Sequence, residues 1–248
     1  MPTATVAGMD DFLAFQQVLE LRRYTTVPGR RDDLVTLFER EFVEPQEAVG
    51  ARLFGQFTEP ADPGKFVWLR GFRDMDSRRA ALEAFYTGPV WARHRETANA
   101  TMTDSSDVLL LRPAGPGFPA PGEPRPPKGA GTRPSSRLVV TVCHPAQPGF
   151  AGFFAETVGP VLAEAGGAPL ACFETEPAEN TFPRLPVREE TVFVWFTRFT
   201  DEAAVSAFEA ALDALPPWGK EVLPQLNTRL SRTPQRLVLA PAPRSLLR

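Results

Sequence analysis

The sequence predicts an α+β protein in which two copies of one βαββαβ unit lie in a single chain. The segment Phe66–Phe72 returns 127 positions later as Phe193–Phe199, and Trp91 returns as Trp218 at the same offset. Repeats that build solenoids recur about every 20–50 residues. A period this long therefore indicates two copies of a whole domain of ordinary size.

The first half of the unit is defined by alternation and by turn residues. Val18–Thr25 alternates as a strand, and Asp32–Ala48 carries apolar residues at helical spacing. Arg52–Thr58 and Phe66–Phe72 are predicted strands. The segment Glu59–Lys65 between them is rich in proline, aspartate and glycine, which predicts a hairpin-like turn.

The second half contains two helices and a last strand. Helices are predicted over Ser77–Phe85 and Val90–Ala100, interrupted by Gly88-Pro89, and Val108–Arg112 is the last strand. This order predicts a ferredoxin-like unit with both helices on one face of a four-stranded antiparallel sheet. The other face would be apolar and uncovered, so we expect two such sheets to pack together or to close into a barrel.

The second copy repeats this order after a proline- and glycine-rich segment. That segment, 114–136, is predicted to be a semi-extended linker between domains at 1–113 and 137–248. The elements predicted for the second copy are Leu138–Cys143, Phe150–Ala165, Leu170–Thr175, Thr191–Phe199, Asp201–Leu212, Trp218–Asn227 and Leu237–Leu239.

One connection is longer in the second copy than in the first. Nineteen residues separate Phe173 from Phe193, whereas eight separate Phe57 from Phe66. Surface loops absorb extra length at low cost, so a tolerated insertion is the favoured interpretation. A lid around residues 180–188 is the alternative.

Composition excludes several classes of function. The net charge of −3 offers no basic field for nucleic acid and no polybasic membrane patch. The sequence contains no run of 18 apolar residues, so we expect no membrane span and a cytoplasmic location. Two cysteines and two histidines lack the spacing of a metal site, and phosphate-binding glycine loops are missing. We therefore expect neither metal nor cofactor.

Side chains that suit chemistry share faces in the first copy. Alternation along its first and third strands places polar and aromatic groups on one face of each. One stripe of the helix after Gly88-Pro89 adds a tryptophan and a histidine. If face and stripe meet, they form an aromatic pocket with a cationic group or two, which suits a small aromatic or acidic metabolite. The residues concerned are Arg22, Tyr24, Trp68, Arg70, Trp91 and His94.

Structural roles are the alternative for each of these residues. A single helical histidine is more often a surface residue, and both tryptophans are more often core. The two arginines pair more often with a nearby carboxylate, here Glu20, Glu41 or Asp74, than with a ligand. Tyr24 is more often a packing residue with its hydroxyl at the rim.

The first copy resembles the NIPSNAP family over Val18–Pro113. The resemblance rests on Glu20–Thr25 followed by Pro28-Gly29, on Phe66–Phe72 and on Gly88–Trp91. It implies a dimeric α+β barrel, a fold shared by small cofactor-free monooxygenases, isomerases and some haem proteins. Haem held by His94 or His144 is therefore a minor alternative.

A comparison of the copies suggests one working site per chain. The polar set of the first copy aligns with residues that lack its chemistry: Glu20, Arg22, Tyr24, Arg70 and His94 align with Val140, Val142, His144, Thr197 and Glu221. The second copy would then act as a scaffold that completes the barrel.

The leading hypothesis is a cofactor-independent enzyme or binder for a hydrophobic or aromatic, polyketide-like small molecule, acting by proton transfer, rearrangement or oxygenation. His94 would be the acid or base and Tyr24 a hydrogen-bond donor. Substrate would be bound by Arg22, Arg70, Trp68, Trp91 and Gln56. The alternative is a non-catalytic interaction module. The protein would be a monomer with an internal pseudo-dimer, or a homodimer.

Overall fold

The strands of both copies join into one closed sheet. A computed structural model describes residues 12–248 of the protein. The first repeat contains β1 (Val18–Thr26), α1 (Arg31–Glu41), α2 (Val43–Ala48), β2 (Arg52–Glu59), β3 (Asp62–Phe72), α3 (Met75–Thr87), α4 (Pro89–Asn99), β4 (Met102–Asp104) and β5 (Val108–Pro113). The second repeat contains β6 (Arg137–Cys143), α5 (Phe150–Phe153), α6 (Gly159–Glu164), β7 (Ala171–Thr175), β8 (Phe193–Phe199), α7 (Glu202–Ala214), α8 (Leu223–Arg229) and β9 (Gln235–Pro241).

Eight antiparallel strands form the ring, in the order β1-β3-β2-β9-β6-β8-β7-β5 and back to β1. Each repeat supplies four neighbouring strands, and the short β4 pairs only with the end of β1. The repeats meet at two seams, where β2 pairs with β9 and β5 pairs with β7. The predicted fold class, two ferredoxin-like units that form a dimeric α+β barrel within one chain, is confirmed.

The inside of the barrel is a packed hydrophobic core. Side chains from every strand of the ring meet there, including Leu19 and Leu21 of β1. The segment between the repeats adds Phe118, which is fully buried with ring centroids 4.9 Å from Phe196 and 5.6 Å from Phe54. Helices cover the outer face, so the space between helices and sheet is where a site has to be sought.

Two helices of the second repeat widen into single π turns, at Phe154–Val158 and Trp218–Val222. Each π segment ends two residues before a proline, Pro160 or Pro224. A proline has no N–H to donate to the preceding turn. The residue before it instead donates to a carbonyl five residues back, which is the π-helical bond.

The predicted hairpin turn within Glu59–Lys65 is present but shorter than expected. Glu59 already pairs with Asp62, which leaves Pro60 and Ala61 as the turn and extends β3 by four residues. Pro63 and Gly64 resemble turn residues, but they lie near the start of the strand, where a missing N–H is tolerated. The three-residue β4 was not predicted.

We expect Phe118→Ala to lower the free energy of unfolding by about 3–5 kcal/mol, because the change empties space inside a packed core. Urea denaturation measures this loss. Glu123→Ala, in the same segment but with an 80% exposed side chain, is the matched control and should change stability by less than about 0.5 kcal/mol. Equal effects of the two changes would show that Phe118 is not part of the core.

Candidate functional site

Four charged side chains form a buried cluster on the outer face of the first repeat's sheet. Glu20 and Arg70 are cross-strand partners, and Arg22 lies two residues after Glu20 on the same face of β1. Arg78 reaches the cluster from α3. One Glu20 oxygen accepts from Arg70 Nε at 2.7 Å and from Arg22 Nη1 at 2.8 Å, and the other accepts from Arg78 Nε at 2.7 Å. All four side chains are fully buried.

The cluster carries more positive than negative charge. Burial by itself would raise the pKa of Glu20, but Arg70, Arg22 and Arg78 outweigh it and hold that pKa well below its ordinary value. Burial by itself would lower the pKa of Arg22, but Tyr24 and Glu20 outweigh burial and hold that pKa above its ordinary value. Arg22 therefore stays charged. One carboxylate therefore faces three guanidinium groups. Aromatic rings lie against the excess charge: Arg70 is 4.9 Å from the Trp68 ring centroid.

A cavity of about 90 Å³ adjoins this cluster between the sheet and the helices. Seven of its lining side chains are aromatic, and its mouth includes exposed Asn99 and half-buried Ser105 and Leu185. The lining residues are Tyr24, Leu34, Phe38, Phe42, Gln46, Trp68, Phe85, Tyr86, Trp91, Ala98, Asn99, Met102, Ser105 and Leu185.

Two side chains connect the cavity to the arginines. The Tyr24 hydroxyl accepts from Arg22 Nε at 2.8 Å, and Gln46 Oε1 accepts from Arg70 Nη1 at 2.8 Å. Burial, the largest effect, raises the pKa of Tyr24, so the phenol keeps its proton at neutral pH. Since its oxygen accepts from Arg22, its O–H is free to donate towards the cavity.

Several buried polar atoms in this region lack a hydrogen-bond partner among residues 12–248. They are Nη2 of Arg22, Nη2 of Arg78, Nε1 of Trp68 and both side-chain polar atoms of Gln56. Buried polar groups are ordinarily satisfied by protein, water or ligand. Most of these atoms are donors, which favours an acceptor-rich or anionic occupant nearby.

The predicted site residues take different positions around the cavity. Tyr24, Trp68 and Trp91 line it, while Arg22 and Arg70 stand one hydrogen bond behind its wall. Both arginines also pair with Glu20, as the structural alternative predicted. Gln56 is the cross-strand neighbour of Trp68 on the same face, but it is not a lining residue.

His94 is at the helix surface rather than in the cavity wall. Its Nε2 is 3.7 Å from a carboxylate oxygen of Glu41, and its ring contacts Phe42, which does line the cavity. The other histidine, His144, pairs with Glu190 in the second repeat at 3.0 Å. Among the described residues, no group of three or more His, Cys, Asp or Glu side chains could hold a metal ion.

Sequence reasoning missed Arg78, Gln46 and Tyr86. For Arg78 a signal exists: it shares an i, i+3, i+4, i+7 stripe with Ala81, Leu82 and Phe85, all of which are buried. A charged residue on the apolar stripe of a helix needs a buried partner. Here that partner is Glu20.

The alignment of the repeats over their first strands is wrong by one residue. Trp68 pairs with Arg22, whereas the equivalent Trp195 pairs with Thr141 and not with Val142. Val142 points into the barrel core. The positions of Glu20, Arg22, Tyr24 and Arg70 are therefore occupied in the second repeat by Val139, Thr141, Cys143 and Thr197.

Glu20→Gln should lower the free energy of unfolding by about 3–5 kcal/mol, because it leaves buried guanidinium groups without their carboxylate. Urea denaturation at pH 7 measures the loss. The low pKa of Glu20 contributes stability that is present above about pH 4.3 and is lost as the pH falls towards the folded-state pKa. The variant should therefore also lose part of the acid dependence of the wild-type protein.

The matched control is Glu83→Gln. Glu83 pairs with Arg79 at 3.1 Å, but more than half of each side chain is exposed. Such a pair contributes about 0–1 kcal/mol. If the two substitutions cost the same, the Glu20 cluster does not hold the first repeat together.

Full-length structural neighbours share the tandem barrel. A candidate monooxygenase from Fusobacterium nucleatum has a TM-score of 0.55 at 10% identity, covering 91% of this chain and 92% of its own. A second candidate monooxygenase, from Lactobacillus acidophilus, has a TM-score of 0.55 at 11% identity, with 90% and 93% covered. An anthrone oxidase-like protein has a TM-score of 0.54 at 15% identity, with 92% of each chain covered. At these identities the likeness establishes the fold.

One domain of known family can be assigned, in the first repeat. Among curated proteins, none matches this chain significantly. Within residues 12–248, every helix is too short or too polar to cross a membrane. Residues 19–116 match the sequence model of the NIPSNAP family. Residues 19–116, in the first repeat, are therefore a NIPSNAP domain.

Proposed function

We propose that the first repeat binds a small aromatic molecule that carries an acidic oxygen, and that it activates this molecule for oxygenation without a cofactor. One observation carries the proposal: an aromatic cavity lies one hydrogen bond away from a buried cluster with surplus positive charge. Aromatic walls suit an aromatic ring, and the charge favours its anionic form.

In this chemistry the protein would bind the anionic form of the substrate and stabilise it. A phenolate or enolate is electron-rich enough to react directly with dioxygen, and positive charge close to its oxygen favours ionisation. In such a reaction a ring CH₂ group becomes C=O, one O₂ is consumed and one water is released. The structural neighbours described above, two candidate monooxygenases and an anthrone oxidase-like protein, support this reaction class.

The lining residues include no carboxylate and no histidine. Deprotonation would therefore occur at the mouth of the cavity, through a water molecule. His94 remains a proposed base only in this outer position, because Phe42 and not His94 faces the cavity. Tyr24 would donate its hydroxyl proton in a hydrogen bond to the bound oxygen while Arg22 polarises it.

The volume limits what fits without movement. A cavity of about 90 Å³ is smaller than the roughly 150 Å³ that an engineered cavity offers to benzene. Binding of an aromatic ring therefore requires part of the wall to move outwards.

A non-catalytic interaction module is the second candidate. It is favoured by the barrel interior, which is filled with side chains and leaves the ring of strands as a scaffold. It gives no reason for the unpartnered buried donors on the outer face of the first repeat.

Tyr24→Phe tests the proposal because it removes the donor and keeps the ring. With 2-naphthoate as the probe, isothermal titration calorimetry should show an affinity loss of about tenfold or more, since a hydrogen bond to a charged group contributes about 1.5–3 kcal/mol. Binding of neutral 2-methylnaphthalene should change little. Tyr86→Phe is the control, because Tyr86 also lines the cavity, whereas the hydroxyl that accepts from Arg22 is that of Tyr24.

Oxygenation is measured separately. We expect wild-type protein to accelerate oxygen uptake by anthrone in an oxygen electrode, and Tyr24→Phe to slow it while Tyr86→Phe does not. The proposal is wrong if neither aromatic probe binds, or if the two tyrosine variants behave alike towards the naphthoate anion.

A further inference from the structure

The insertion in the second repeat packs on the first repeat. Residues 176–192 connect β7 to β8, and Phe182 and Leu185 from this segment join the core between the helices and the sheet of the first repeat. Phe182 is 6% exposed, and its ring stacks on Tyr86 with 6.0 Å between centroids. Leu185 lines the cavity. The insertion therefore forms part of the cavity wall.

One end of the insertion is bound to the arginine cluster. Arg78 Nη1 donates to Asn180 Oδ1 at 3.0 Å and to Thr181 Oγ1 at 3.3 Å. The Asn180 amide also donates to the Leu185 carbonyl at 2.9 Å and braces the loop from within. The guanidinium that contacts Glu20 is therefore the same group that fixes the insertion in place.

The other end is bound to β5 and to the loop before it. The backbone N–H of Arg188 donates to the Val108 carbonyl at 2.8 Å, and its side chain pairs with Asp107 at 2.8 Å. Leu185, which lines the cavity, lies between these two attachments. The equivalent connection in the first repeat is the turn at Pro60 and Ala61, which has no such reach.

We propose that residues 176–192 are a cover that the second repeat supplies to the first repeat's binding site. Leu185 determines which ring systems fit, and the attachment at Asn180 and Phe182 controls access. This inference rests on the proposed function for its ligand class. An insertion that is merely tolerated would instead leave its apolar side chains in solvent and would make few hydrogen bonds to the other repeat.

The attachment is tested without ligand by amide hydrogen exchange. Phe182→Ala and Asn180→Ala should each raise exchange across the insertion and across α3 and α4 by about tenfold or more. Arg184→Ala is the control, because that side chain is exposed on the same loop, and it should leave exchange unchanged. If the Phe182 and Asn180 variants exchange like wild type over α3 and α4, the insertion is not a cover.

The role of Leu185 is tested by the ratio of dissociation constants for benzoate and 2-naphthoate. Leu185→Ala enlarges the cavity next to the bound ring. The dissociation constant of benzoate divided by that of 2-naphthoate should therefore rise by about tenfold or more. Arg184→Ala should leave the ratio unchanged. A Leu185→Ala variant that weakens or tightens both acids equally would overturn the specificity role. If wild type binds neither acid, the proposed function fails, and hydrogen exchange alone decides whether the insertion covers the cavity.

Discussion

The carboxylate of Glu20 is the interaction on which the first repeat depends. It holds three guanidinium groups at 2.7–2.8 Å in a region closed to solvent. Taking such cations out of water is costly unless an anion compensates them, so the arginines are tolerated there because Glu20 is present. The compensation is incomplete, and the remaining positive charge reaches the cavity through Tyr24 and Gln46.

The two repeats share a framework and differ in what fills the layer between sheet and helices. In the second repeat, Phe154 packs on Trp195 with ring centroids 4.9 Å apart, and valine and threonine stand where the first repeat has Glu20, Arg22 and Arg70. Such a layer is stable through burial of apolar surface alone. A duplicated domain can thus keep one copy as a hydrophobic support while the other carries a buried charge at a cost in stability.

The sequence predicts the strands, the helices and the barrel because these follow from local periodicity and from an uncovered apolar face. It does not predict the Arg78 contact, because a helix and a strand 58 residues apart meet only after the fold is known. His94 illustrates the converse. Its residue type suits catalysis. Whether its side chain faces the cavity or Glu41 depends on how the helix is rotated about its own axis, and residue spacing alone does not determine that rotation. Equally, no periodicity marks Leu185, whose importance comes from a loop that crosses to the other repeat.

Fusion of the two units in one chain allows an asymmetry that a dimer of identical units does not. In a two-fold dimer, each subunit would carry the same insertion and the same site, since both copies have one sequence. In this chain the long connection lies in the second repeat and the arginine cluster in the first. The two features are connected, because Arg78 contacts both Glu20 and Asn180. The asymmetry therefore has two parts: the first repeat carries the charged cluster and a short turn, and the second repeat carries an apolar layer and the long connection that packs on the first.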